Sequence, residues 1–431
     1  MHLTRRYFLK STGAIAAYLG VAPLDLFAQA GVAAAPAPVA AGRTVVVIFL
    51  RGGADGLNLV VPHGDPHYGR LRGSIGIATP GAGEGAAIDL DGHFGLHPRL
   101  APLKPLFDEQ VMVAAHAVGY DKNTRSHFEE QDVWETGVIG NTINSDGWLN
   151  RHIATSQGRG PIRAVAIGDA LPRILHGEAP AYAIRGIEDL SLPADGAGRA
   201  DRVVQALEHA YCTAPDVERA GAMDLLSETA SLTLEGVREL RAVAERPYQP
   251  AAAYPNTDLG RRLQQAARLI KADVGLEVVE VDYGGWDTHS YQGGAAGPFA
   301  NLAADLGASV SAFCRDMEER LDDVLLVTLT DFGRTAAENG TGGTDHGWAN
   351  CMFLAGGGVR RATQASARPD RRVVSRWPGL APDQLHEGRD LLHTMDFRDV
   401  LGEIVQAHLG NPHLKSVLPG HTFRAEGLVV G

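Results

Sequence analysis

Cysteine is scarce in this chain. Cys212, Cys314 and Cys351 are the only three in 431 residues, with no C-x-x-C pair among them. That excludes a disulfide framework and a zinc ribbon, though one bridge stays open. No apolar run reaches the roughly 20 residues that a membrane-spanning helix needs, so no stable membrane span is expected. Positive charge is also short: the formal net charge is −12. An acidic chain has no electrostatic footprint for nucleic acid or for an anionic membrane surface. The glycine fingerprint of dinucleotide sites is missing after the strongest strand candidate, and nothing repeats at solenoid periods.

What is present begins with an address. Thr4 to Lys10 (TRRYFLK) matches the twin-arginine export pattern, an apolar region follows from Ala14 to Leu24, and Ala28-Gln29-Ala30 offers small residues to a signal peptidase. Residues 1–30 are therefore expected to be a twin-arginine signal peptide, with the twin-arginine translocase as export partner and a periplasmic or secreted destination. Loss of Arg5, Arg6, Lys10 and Asp25 with that segment would shift the net charge from −12 to −14. Residues 31–42, GVAAAPAPVAAG, carry no periodicity and are expected to be an Ala/Pro linker. Residues 43–431 are expected to form one α/β domain, with surface insertions at 69–99 and 360–390.

Short apolar β-branched runs recur after the linker: Thr44–Leu50, Val111–Ala115, Ile162–Ile167, Leu276–Val281, Val324–Leu329 and, more weakly, Cys351–Leu354. Runs of this length bounded by polar residues read as strands buried on both faces. Helical periodicity lies between them: Leu226, Ala230, Thr233, Val237 and Leu240 share one helix face, as do Leu263, Ala267 and Ile270. Asn301–Leu321 is amphipathic and leads directly into Val324. Strands alternating with helices imply a doubly wound, mainly parallel sheet.

In such sheets ligands bind beyond the carboxyl ends of the strands, and the polar residues here sit in those places. Asp55 follows Thr44–Leu50 in RGGADG, Asp287 and His289 follow Leu276–Val281 in DYGGWDTH, and Asp331 and Arg334 follow Val324–Leu329 in TDFGRT. Asp345 and His346 come next in GTDHG, and His393 precedes a late helical run. Carboxylates with imidazoles suit a divalent metal site of mixed oxygen and nitrogen ligands, and residues i and i+2 of an extended segment share a face, as Asp287 and His289 would. Ser126 with Glu129 three residues on reads as a capping box opening a helix, with Thr124, Arg125 and His127 in the same turn. A hydroxyl at a helix N-terminus is also well placed to act as a nucleophile.

Taken in order, RGGADG, SHFEEQDVWETG, DYGGWDTH, TDFGRT, GTDHG and HTMDFRDVLGEI resemble the exported family known as domain of unknown function 1501, from about Thr44 to Leu409. That family is similar in turn to the alkaline phosphatase/sulfatase superfamily. The resemblance implies an alkaline phosphatase/sulfatase-like fold and a two-metal site with a hydroxyl nucleophile at a helix start. The metal ligands it implies are Asp55, Asp287, His289, Asp331, Asp345, His346 and His393, holding divalent cations such as Zn, Mg, Mn or Ca. Ser126 and then Thr124 are the implied nucleophiles, with Arg334 or Arg125 neutralising substrate oxygens. The implied function is hydrolysis of phosphate or sulfate esters on small or polymeric anionic substrates. A non-catalytic binding or secretion-associated protein on the same fold is the alternative. The superfamily's Asp-His-Gly usually ends a strand, but here Asp331-Phe332-Gly333 takes that place and Asp345-His346-Gly347 follows an extra loop. At least five of the seven ligand candidates are expected to converge, with metal-free carboxylate pKa values raised by burial and mutual repulsion.

Overall fold

In the computed structural model the chain is described over residues 42–140, 145–158, 160–187, 238–366 and 372–431, with short pieces at 26–27, 37–38 and 235–236. Most of the expected signal peptide and linker, Cys212, and Leu226, Ala230, Thr233 and Val237 of the expected helix lie outside the described residues. Cys314 and Cys351 are buried free thiols.

Every residue of the first strand, β1 (Thr44–Leu50), is buried. Side chains alternate across a strand, so Val45, Val47 and Phe49 enter one core while Val46, Ile48 and Leu50 enter another on the opposite face. Burying each such side chain contributes about 1.5–3 kcal/mol relative to exposure. The remaining strands of the main sheet are β2 (Met112–Gly119), β3 (Ala164–Ile167), β4 (Ala181–Ile184), β5 (Val278–Tyr283), β6 (Val324–Thr330), β7 (Asn350–Gly356), β8 (Val373–Val374) and β9 (Met395–Asp396). Their spatial order is β4-β3-β5-β1-β6-β7-β2-β8, with β9 also on β2 and Leu26–Phe27 as an antiparallel edge on β4.

The sheet is mostly parallel but mixed, because β7 runs antiparallel to both β6 and β2. A parallel return would need a crossover of a dozen or more residues, usually helical. The connection from Asp331 to Ala349 contains no helix and turns straight back. Strand β4 was not anticipated, nor were the two-residue strands β8 and β9. Val373–Val374 falls within the segment expected to be a surface insertion and pairs with β2.

Among the described residues, the longer helices on the two faces include α1 (His127–Thr136), α2 (Trp148–Thr155), α3 (Asp258–Lys271), α4 (Pro298–Met317), α5 (Gly357–Ala365) and α6 (Phe397–Glu403). In α4 the buried residues Phe299, Ala303, Leu306, Val310, Phe313 and Met317 step by four and three, which makes one apolar stripe. That stripe and the buried side of α3 pack on one sheet face, while α1, α2, α5 and α6 pack on the other. Among the described residues no helix is long and apolar enough to cross a membrane.

Register places the site. Leu50 of β1 pairs with Tyr283 of β5 and with Thr330 of β6, so three parallel strands end level. The segments that follow them, from Arg51, Gly284 and Asp331, leave side by side. A third apolar cluster, including Leu57, Val61, Ala336, Trp348 and Leu391, joins residues of the loops and short elements outside the two sheet-facing cores.

Candidate metal centre

Two glycines let β1 turn sharply at its end. Gly52 and Gly53 have φ of +113° and +67°, conformations that side chains resist. A Cβ on Gly52 would lie 2.7 Å from the backbone nitrogen of Asp287, and one on Gly53 would strike the Phe332 ring. The tight turn therefore permits the segments after β1, β5 and β6 to approach one another.

At this junction Asp287 meets three imidazoles. Its Oδ1 lies 3.0 Å from His289 Nε2, 3.2 Å from His346 Nε2 and 3.5 Å from His127 Nε2. His289 Nε2 and His346 Nε2 are themselves 3.0 Å apart. The opposite nitrogen of each ring faces an oxygen. His127 Nδ1 is 2.6 Å from Asp331 Oδ2, His289 Nδ1 is 2.9 Å from Asp345 Oδ1, and His346 Nδ1 is 2.8 Å from the Arg125 carbonyl. A carboxylate or a carbonyl only accepts, so each Nδ1 carries the proton. With the proton on Nδ1, a ring that carries no second proton directs the lone pair of its Nε2 inward. Lone pairs facing each other at 3.0 Å repel unless a cation or a shared proton lies between them. The buried Nε2 of His127 has no hydrogen-bond partner. Imidazoles fixed through Nδ1 by an oxygen are the usual support of metal-ligating histidines.

The ligand atoms of His127, Asp287 and His346 all lie within 4.8 Å of one another, the one such group among the described residues. His289 adjoins it through the contacts above. Phe332 packs against the rings of His127 and His346, at centroid distances of 4.7 and 4.6 Å.

The carboxylate pKa values move opposite to expectation. For Asp287, partial burial pushes upward, but the hydrogen bond and charge of Arg334 outweigh it and hold the group at about 2. For Asp331, full burial is likewise outweighed by hydrogen bonds from His127, Gln131 and the Gly52 N–H. Asp345 is held low mainly by its hydrogen bond to His289. Repulsion between carboxylates does not dominate because the carboxylates face imidazoles and a guanidinium. His127 is pushed up by its bond to Asp331, while burial pulls His346 down.

The family model described as protein of unknown function (DUF1501) matches residues 111–413. The chain belongs to the DUF1501 family. No curated protein matches it. Among solved structures, the PsFucS1 sulfatase from Pseudoalteromonas sp. shows a weak likeness, with a TM-score of 0.30 and 12 % identity over 73 % of this chain. The match spans 62 % of that sulfatase, less than two thirds of its length.

Five of the seven ligand candidates of this DUF1501 protein lie in one network. Asp287, His289 and His346 face inward, while Asp331 and Asp345 stand behind His127 and His289. Asp55 lies elsewhere: it is fully buried, ion-paired with Arg72, and accepts a hydrogen bond from Gln292 Nε2 at 2.6 Å. His393 accepts from Trp348 Nε1 at 2.9 Å and faces Asp121 at 3.5 Å. Arg334 is buried, and its guanidinium donates to the carbonyls of Gly52, Gly53, Trp286 and Thr344 as well as to Asp287 at 2.6 Å.

Ser126 occupies the N-cap position of α1, but the capping box does not form. Its side chain makes no cap hydrogen bond, and the Glu129 N–H donates to the Ser126 carbonyl instead. Glu130 takes the Thr124 N–H and hydroxyl, at 2.7 and 2.9 Å. This draws the chain before α1 onto a different acid from the one the motif named. His127 was not singled out as a ligand. Its signal was faint: a histidine beside the expected helix start, whose backing carboxylate is 204 residues away.

Proposed function

We propose that this DUF1501 protein is an exported metal-dependent hydrolase of phosphate or sulfate esters, delivered by the twin-arginine translocase. The observation that carries the reading is the convergence of three imidazole Nε2 atoms on Asp287, each ring fixed through its Nδ1. The donor set fits a cation: His127, His289, His346 and Asp287 would hold it. Three nitrogens and one carboxylate favour zinc, manganese or a similar transition metal over magnesium or calcium, which prefer oxygen. A divalent cation there would supply Lewis acidity to an ester oxygen and acidify a neighbouring water.

The chain's own residues prepare that chemistry. Asp331, Asp345 and the Arg125 carbonyl fix the rings, and Arg334 keeps Asp287 ionised. Phe332 closes the buried side. The opposite side is open, since the side chains of Asp287 and His289 are 45 % and 42 % exposed. That leaves room for water and substrate, as catalytic sites require. Ser126 remains the first candidate nucleophile, its hydroxyl uncommitted to a cap at the N-terminus of α1, with Thr124 second. Arg334 acts on Asp287 more than on substrate, because its donors are occupied. The two-metal arrangement implied by the resemblance is narrowed to one cation, since Asp55 is neutralised by Arg72 and Asp331 serves His127. An alkaline phosphatase-like domain over residues 43–431 belongs to the same proposal.

The test is metal analysis of the purified protein, followed by a panel of phosphate and sulfate esters with zinc or manganese supplied. About one cation per chain, lost in His127→Ala together with turnover, is the expected result. A bound cation without turnover on any ester would favour the binding-protein alternative. No bound cation would sink both the metal centre and the hydrolase.

A further inference from the structure

Among the described residues most large apolar side chains are buried. Phe128 and Tyr291 are the most exposed of them, at 90 % and 82 %. Both lie in segments that carry candidate ligands of the metal centre. Phe128 follows His127 directly, and Tyr291 lies two residues beyond His289. The rings of His127 and His289 flank that of His346, with centroids 4.4 and 4.7 Å away. The two aromatics are thus carried by segments that reach the centre from different strand ends.

The backbone at Tyr291 adds a second observation. Its φ is +50°, a conformation that bulky residues rarely adopt. It is held there by its own N–H on the Thr341 carbonyl at 3.0 Å and by the Gln292 N–H on Gly342 at 2.9 Å. Glycine or asparagine would make such a turn with less strain. The turn does not call for tyrosine, and strain of this kind gathers at ligand clamps. Phe128 is equally unneeded by α1, whose first turn accepts any polar residue.

We infer that Phe128 and Tyr291 form an aromatic rim that grips a ring on the alcohol portion of the substrate. The site then selects anionic esters of ring-bearing alcohols over those of small acyclic ones. This rests on the ester-hydrolase reading of the same centre. Aryl rings and sugar rings both present a flat face of the kind that stacks on Phe and Tyr, and the tyrosine hydroxyl adds a polar contact at the edge.

The experiment measures calorimetric binding of phenylphosphonate, a glycosyl phosphonate and methylphosphonate to the purified protein, alongside its metal content. One or both ring-bearing probes should bind about tenfold more tightly than methylphosphonate, and the tighter of the two identifies the ring. In the double variant Phe128→Ala/Tyr291→Asn that ratio should fall toward one. Asparagine tolerates positive φ, so the fold is not put at risk at that turn. Equal affinities in the unaltered protein, no binding of any probe, or an unchanged ratio in the variant overturns the rim. A ring preference in protein that holds no cation keeps the rim and sinks the hydrolase reading. A bound cation without ring preference does the reverse.

Discussion

Two aspartates follow neighbouring parallel strands and meet opposite surroundings. Asp55, after β1, is sealed from solvent and neutralised by the guanidinium of Arg72, itself fully buried. Asp287, after β5, is half exposed, with a guanidinium on one side and three imidazole nitrogens on the other. The first charge is cancelled within the chain. Around the second, three imidazole nitrogens and one guanidinium share a single half-exposed carboxylate, the donor set on which the proposed cation site rests. Carboxylates at equivalent places in a fold are thus separated in role by their partners.

Removing the internal cation should have the largest effect. Arg72→Met leaves the Asp55 carboxylate buried without its partner, which costs about 3–5 kcal/mol. Urea unfolding would read this directly, and a loss below about 1 kcal/mol would contradict the account of Asp55. The imidazole side should respond in affinity. Asp331→Asn and Asp345→Asn each remove a charge that fixes a ring, and should weaken metal binding by about 10–100-fold. Competition with a chelator measures it, and the buried Asp331 should matter more. Unchanged affinity in both would mean that the rings are held by other means.

Acid sharpens the contrast on the Asp55 side. Burial holds His97 and His116 at about 4, with the charge of Asp55 too weak to offset it. Unfolded, each titrates near 6.5. Above that pH both states are neutral and stability is level. Between about 6.5 and 4 the unfolded chain binds the extra protons, so stability falls as pH falls, by up to about 1.4 kcal/mol per unit for each histidine. Unfolding curves of metal-free protein from pH 7 to 5 should show that decline, and a flat profile would refute it. Smallest of all is Ser126→Ala. With no cap bond to lose, it should change stability by less than about 0.5 kcal/mol, against the roughly 1 kcal/mol of a working cap. A larger loss would restore the capping box.

How much of this could be read in advance depended on what each feature needs. Strands β1 and β6 were legible because a strand buried on both faces leaves an unbroken apolar run. The reversed sense of β7 was not, since apolar patterning is the same in either direction. The short β4, AYAI, gives too little pattern to separate strand from loop. Asp287 and His289 were legible as neighbours in one cluster, because two residues of an extended segment reach the same side. Asp331 and Asp345 were expected as ligands, whereas each faces the Nδ1 of a histidine. Whether a carboxylate faces a cation or a histidine is settled by contacts to distant residues. Asp55 was assigned to the metal for the same reason, its Arg72 partner being invisible as a partner in the sequence.

The turn at Gly52 has a consequence for genetics. In a screen scored by the proposed hydrolase activity, substitutions at Gly52 should cost as much as loss of His127 or His346, although glycine offers no donor, acceptor or charge. The added Cβ would press on the backbone nitrogen of Asp287 at 2.7 Å and displace the residue on which the imidazoles converge. A map of essential positions would mark Gly52 as a chemical participant, when its contribution is the space it leaves empty.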